Sequence, residues 1–141
     1  MAKVAENVEL KVPVDETYVS VVRLLISGLG TRLGLAVNEL ENLKLVVGEA
    51  FLTIVEKCGR MSGLIHLKWA QDETHIHVAL SDPSGKHKSV TNAMNLALLR
   101  NLGGAYKSSI IDGVAHLNID FDVKYEEDRA FIFNERKGGR A

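Results

Sequence analysis

Four of the chain's five histidines, His66, His75, His77 and His116, fall in stretches that alternate polar and apolar residues, together with Asp120 and Asp122. Histidines two apart on a strand, such as His75 and His77, point the same way, and imidazole is a common metal ligand. Spacing alone does not make four such ligands converge, so an exposed sheet face that meets water or a partner subunit is the simpler reading. A second cluster is the polar run Asp82-Pro83-Ser84-Gly85-Lys86-His87-Lys88. Asp-Pro commonly opens a turn. Lys86, His87 and Lys88 could face phosphates, and a basic surface loop explains them equally. The glycines at 28, 30 and 34 lie in a run with no strand before it, so they do not read as a phosphate loop. Glu49 and Glu56, taken alone, read as glutamates on the solvated side of a helix. Cys58 is the one cysteine and cannot close an internal disulfide, which suits a reducing compartment.

The chain of 141 residues is one domain's worth, long enough to bury a core without staples. Hydrophobic residues are 46% and charged residues 25% of it, the balance of a water-soluble globular protein. Seventeen Lys and Arg against eighteen Asp and Glu leave a net charge of −1, so bulk charge argues against direct nucleic-acid binding. Arg23, Lys44 and Glu49 interrupt the apolar stretches before about 18 residues accumulate, and no membrane span is expected. Glu6 and Glu9 fall where the apolar run of a secretory signal would be, and a cytoplasmic protein is expected.

The elements that must carry these residues follow from periodicity. Residues 8–12 alternate as a short strand. Asp15 reads as the N-cap of a helix running to Gly30 or Gly34, with Tyr18, Val22, Leu25, Ile26, Leu29 and Leu33 at helical spacing. Asn38 with Glu41 resembles a capping box for a second helix. Its apolar stripe includes Leu40, Leu43, Val47, Ala50, Phe51 and Ile54, and it is expected to stop at Cys58–Gly59. From Leu64 the period becomes two. Residues 64–70 and 74–81 form a hairpin that puts Ile65, Leu67 and Trp69 on one face with Ile76, Val78 and Leu80. Residues 91–102 read as a third helix closed by Gly103–Gly104. Residues 105–111 and 114–123 flank an Asp112–Gly113 hairpin turn. The order β-α-α-β-β-α-β-β gives an α+β fold, a two-layer α/β sandwich with helices on one face of a largely antiparallel sheet. The expected domain covers residues 1–123, with its core at 8–123. Residues 124–141 are expected to be a partly disordered C-terminal extension.

The stretch VPVDETYVSVVRLLISGLGTRLGLAVNELENLKLVVGEAFLTIV resembles the opening of the bacterial anti-sigma-factor serine kinases. These belong to the GHKL class, the histidine-kinase-like ATPase fold shared with histidine kinases and gyrase B subunits. Arg23 on the first helix, Glu49–Ala50 on the second, Asp82 after the central hairpin and LALLRNL at 96–102 carry the likeness. It implies an anti-sigma-factor regulator that binds a sigma factor or its antagonist, often as a homodimer, and uses ATP and Mg2+ to phosphorylate serine. By the same likeness Glu49 is the catalytic base, and the magnesium-holding asparagine position is Thr53. Asp82 would accept the adenine amino hydrogen, and Gly85 and Asn95 fall at the two glycine motifs that line the nucleotide. The chain departs from the pattern at Thr53, at Ser84 (with Gly85 one position displaced), and at Ala93 and Asn95 where glycines are expected. The departures imply a member whose kinase activity is weakened or lost, beside the alternative of a working ATP- and Mg2+-dependent serine kinase.

Overall fold

The computed structural model describes residues 6–58, 63–83 and 105–122. Strand β1 (Glu6–Pro13) leads through a 3-10 turn (Glu16–Tyr18) into helix α1 (Val19–Leu33), followed by helix α2 (Val37–Cys58). Strands β2 (Leu64–Gln71) and β3 (His75–Asp82) form one hairpin, β4 (Ala105–Ile111) and β5 (Val114–Asp122) a second. The five strands make one sheet in the order β1-β2-β3-β5-β4, with every neighbouring pair antiparallel. This is the α+β architecture expected from the alternation. The expected helix at 91–102, with Gly85, Asn95 and the extension 124–141, lies outside the described residues.

Local chemistry accounts for the element ends. Asp15 caps the 3-10 turn rather than α1 itself, its carboxylate accepting from Thr17 N at 2.9 Å and Thr17 Oγ1 at 2.8 Å. Helix α1 ends at Gly34, whose φ of 83° is the left-handed conformation that costs glycine least. Gly34 N donates to the carbonyls of Gly30 and Thr31, and Leu35 N donates to Gly30 O. The expected capping box at Asn38 does not form. Helix α2 already begins at Val37, and the amide of Leu40 reaches back to Ala36 O at 2.9 Å, which puts Asn38 inside the first turn. At the β4–β5 hairpin Asp112 and Gly113 have φ of 54° and 81°, the two positive values of a type I′ turn.

The sheet is sided. Val8, Trp69, Val78 and Ile119 align across β1, β2, β3 and β5, as do Leu10, Leu67, Leu80 and Leu117. Together with Ile26 of α1 and Leu43, Val47, Phe51 and Ile54 of α2 they form a single apolar core. Each such side chain taken fully out of water contributes roughly 1.5–3 kcal/mol before chain entropy is counted. Helix α1 packs on α2, and α2 crosses β3 and β5. The opposite face carries His66, Lys68, His75, His77, His116, Asp120 and Asp122, as the alternation requires. Among the described residues no helix is long and apolar enough to cross a membrane.

The β2–β3 turn is tied by Asp72, whose carboxylate accepts from Thr74 N and His75 N, both at 2.8 Å, and from Thr74 Oγ1 at 3.0 Å. The backbone hydrogen bonds from Thr74 and then His75 hold the Asp72 carboxyl below its ordinary value of 3.8, and those from Thr17 do the same for Asp15. The folded chain binds these two protons less readily than the unfolded one. Their contribution to stability is therefore whole above the ordinary carboxylate value and is lost as pH falls through the lower folded values. Urea midpoints of the chain and of Asp72→Ala should differ at about pH 6 and converge near about pH 2.5. A gap that stayed constant with pH would show that the Asp72 charge plays no part.

Candidate functional site

Helix α2 carries Glu49 and Thr53 four residues apart, one turn along the same side of the helix. Glu49 is half-buried, while Thr53 is 6% exposed. Asp82 is the last residue of β3 and the fourth inward position after Ile76, Val78 and Leu80, and it is 0% exposed. It pairs with Ala115 of β5 and points to the side of the sheet that α2 covers. Asp82 ends the strand and Pro83 directly after it is in a turn, so the Asp-Pro step stands at the junction of the two. The strand runs one residue further than its period suggested, and the Asp82 side chain is carried into the interior.

Among the described residues Thr53 and Asp82 are the two polar side chains that are buried. A carboxylate removed from water costs several kcal/mol unless a partner compensates it, and Asp82 is not without one. An apolar core gains nothing from either group, so the burial of both, one on α2 and one at the end of β3, is unlike ordinary packing. Chemically the site offers a carboxylate that only accepts hydrogen bonds and a hydroxyl that both donates and accepts, with Glu49 one turn from that hydroxyl. This donor set fits an amino-bearing heterocycle at Asp82 and a hard cation at Thr53. A hydroxyl is a weaker magnesium ligand than a carboxylate. Gly85 and Asn95 lie outside the described residues; of the other three expected site residues, Glu49 and Thr53 share one side of α2, and Asp82 ends β3 on the sheet face that α2 packs against.

Two pairs on the outer sheet face were not legible from spacing. His75 Nε2 lies 3.2 Å from Asp122 Oδ1, and His77 Nδ1 is hydrogen-bonded to Asp120 Oδ1. Both depend on β3 lying beside β5, which no local pattern specifies. Among the described residues no group of three or more His, Cys, Asp or Glu side chains gathers as a metal site. A second contact that spacing did not reveal joins the helices: the Arg23 guanidinium of α1 rests on Gly48 of α2, next to Glu49.

The chain is 31% identical over 80 residues to the serine-protein kinase RsbW of Bacillus subtilis, a match covering 55% of this chain and 50% of that protein. It is 35% identical over 79 residues to the RsbW of Oceanobacillus iheyensis, again covering 55% and 50%. To the RsbW of Halalkalibacterium halodurans it is 31% identical over 77 residues, covering 55% and 48%. The chain is similar to these serine-protein kinases. Its match spans about half the length of these curated RsbW relatives. No family model matches the chain. The likeness to the RsbW kinases therefore rests on the individual relatives, and the α+β sandwich agrees with it.

Proposed function

We propose that the chain is an anti-sigma-factor-type regulator that binds a sigma factor or its antagonist, with an adenine-nucleotide site whose serine kinase activity is weakened or lost. The observation that carries this reading is the burial of Asp82 at the end of β3 and of Thr53 on α2 in an otherwise apolar core. In the resembling family the corresponding aspartate takes the adenine amino hydrogen, and Asp82 keeps both the residue type and an inward position. The weakening is argued from the departures. Thr53 offers magnesium one neutral hydroxyl in place of an amide oxygen, and Ala93 and Asn95 put side chains where glycines would let a phosphate approach. Partner binding would use the exposed helix and sheet surfaces of a cytoplasmic homodimer.

A second reading is a working ATP- and Mg2+-dependent serine kinase acting on an anti-sigma antagonist. Two observations favour it: the relatives are serine-protein kinases by name, and Glu49 is retained one turn before Thr53 and half-open to solvent. There Glu49 would take the proton of the attacking serine hydroxyl and Thr53 would help hold the metal that bridges the phosphates.

Calorimetric titration with ATP and ADP, with and without magnesium, tests both. The weakened site is expected to bind either nucleotide with a Kd of about 0.1–1 mM and to gain less than about threefold from magnesium. Thr53→Asn should raise the magnesium-dependent gain for ATP to about fivefold or more. Micromolar, magnesium-dependent ATP binding with phosphate transfer to an antagonist's serine would replace the first reading by the second. Absence of heat at about 10 mM nucleotide, from a sample that unfolds cooperatively, would overturn both nucleotide readings.

A further inference from the structure

The helix pair carries a second polar feature that shares no residue with Glu49, Thr53 and Asp82. Ser20, Arg23 and Ser27 recur along α1 at steps of three and four, so they line one edge of that helix. Lys44 faces them from α2, and with Leu24 these residues enclose an open cavity of about 300 Å3. The Arg23 side chain is laid directly on the backbone of α2. A methyl group added at Gly48 would fall 2.5 Å from Arg23 Nε and 3.0 Å from Nη2, so the glycine is what lets the guanidinium lie there.

Arg23 is half-buried, and among the described residues no carboxylate or carbonyl pairs with its guanidinium. Lys44 Nζ is 3.1 Å from Glu41 Oε2, one turn back on the same helix and more exposed. Arg23 and Lys44 thus bring two cations to the cavity lining, and the α2 carboxylates Glu41 and Glu49 are not among its lining residues. A partly desolvated guanidinium with five fixed donors is incomplete without an acceptor. Hydroxyls add donors on the remaining side. Ser27 lines the cavity, and Ser20 Oγ donates to Thr17 O at 3.2 Å, a long bond that rotation of the hydroxyl exchanges easily.

We infer that this cavity is a binding site for a tetrahedral oxyanion of the phosphoryl class, held by Arg23 and Lys44 with the hydroxyls of Ser20 and Ser27 completing its coordination. Four donor-bearing side chains from two helices suit a tetrahedral group better than a flat carboxylate, which the Arg23 fork alone would satisfy. The site is independent of the nucleotide reading and stands or falls without it.

The test is an amide chemical-shift titration of the full chain with inorganic phosphate, using sodium chloride and sodium acetate at matched ionic strength as controls. Saturating shifts are expected at Ser20, Arg23, Ser27 and Lys44, with phosphate at least about tenfold tighter than acetate. Arg23→Gln should weaken phosphate at least about tenfold. Ser20→Asp keeps the fold safe, because Ser20 is exposed in the first turn of α1 where an acid suits the helix dipole. It places a carboxylate at the cavity and should abolish the phosphate response. Gly48→Ala, which displaces the guanidinium, should weaken phosphate several-fold while the unfolding midpoint holds. Shifts that follow ionic strength alone would overturn the proposal. So would acetate binding as tightly as phosphate, or an unchanged phosphate response in the folded Ser20→Asp variant.

Discussion

Asp82→Asn is expected to weaken adenine-nucleotide binding at least about tenfold, read by calorimetry against the unaltered chain. The substitution conserves shape in a position that is 0% exposed, so no cavity opens. What it removes is the negative charge, and with it one charge-assisted acceptor, the kind of hydrogen bond that carries about twice the strength of a neutral one. The amide that replaces it also turns a donor toward an amino group that already donates. Capture of a protein partner by the helix and sheet surfaces should change by less than about twofold, because Asp82 lies under α2 and reaches none of them. Thermal unfolding of the same sample separates loss of the site from loss of the fold. A variant that bound nucleotide as tightly as the parent would remove Asp82 from the adenine reading.

The largest effect on stability is expected at Trp69. Its side chain is 1% exposed, aligned with Val8 on one side and Val78 on the other. Its ring nitrogen donates to Gln71 Oε1 at 2.7 Å, so the indole is both packed and satisfied. Trp69→Ala should cost about 3–5 kcal/mol, a large part of the roughly 5–15 kcal/mol that holds a domain folded, and lower Tm by more than about 10 °C. Trp69→Phe retains most of the volume and strands the Gln71 acceptor near solvent, where water can serve it, so it should cost about 1–2 kcal/mol. Trp69 is the one tryptophan of the chain, so far-ultraviolet circular dichroism rather than fluorescence must follow the transition. Equal midpoints for Trp69→Ala and the parent would mean that the core closes over the missing ring.

The sequence by itself determined the sidedness of β1, β2, β3 and β5 and most of the stripes of both helices, because side chains alternate with period two on strands and recur every three to four residues on helices. Tyr18, expected in the α1 stripe, lies in the 3-10 turn and is exposed. Ile65, Leu67 and Trp69 share a buried face with Ile76, Val78 and Leu80 as that rule requires. Asp112–Gly113 closed its hairpin because that pair tolerates the two positive φ angles of a type I′ turn. The family likeness was also readable, since it lies in the α1–α2 sequence itself. Tertiary structure decided the rest. Period says which face a residue takes and nothing about which strand lies beside it, so the order β1-β2-β3-β5-β4 and the His75–Asp122 and His77–Asp120 pairs had no local signal. Asp82 shows the same limit at a single position. An Asp-Pro step looks like a turn, yet pairing with Ala115 of β5 holds the aspartate in the strand and under α2. Arg23 resting on Gly48 likewise required two helices to meet, and the close approach of their backbones, not the spacing within either, put the guanidinium there.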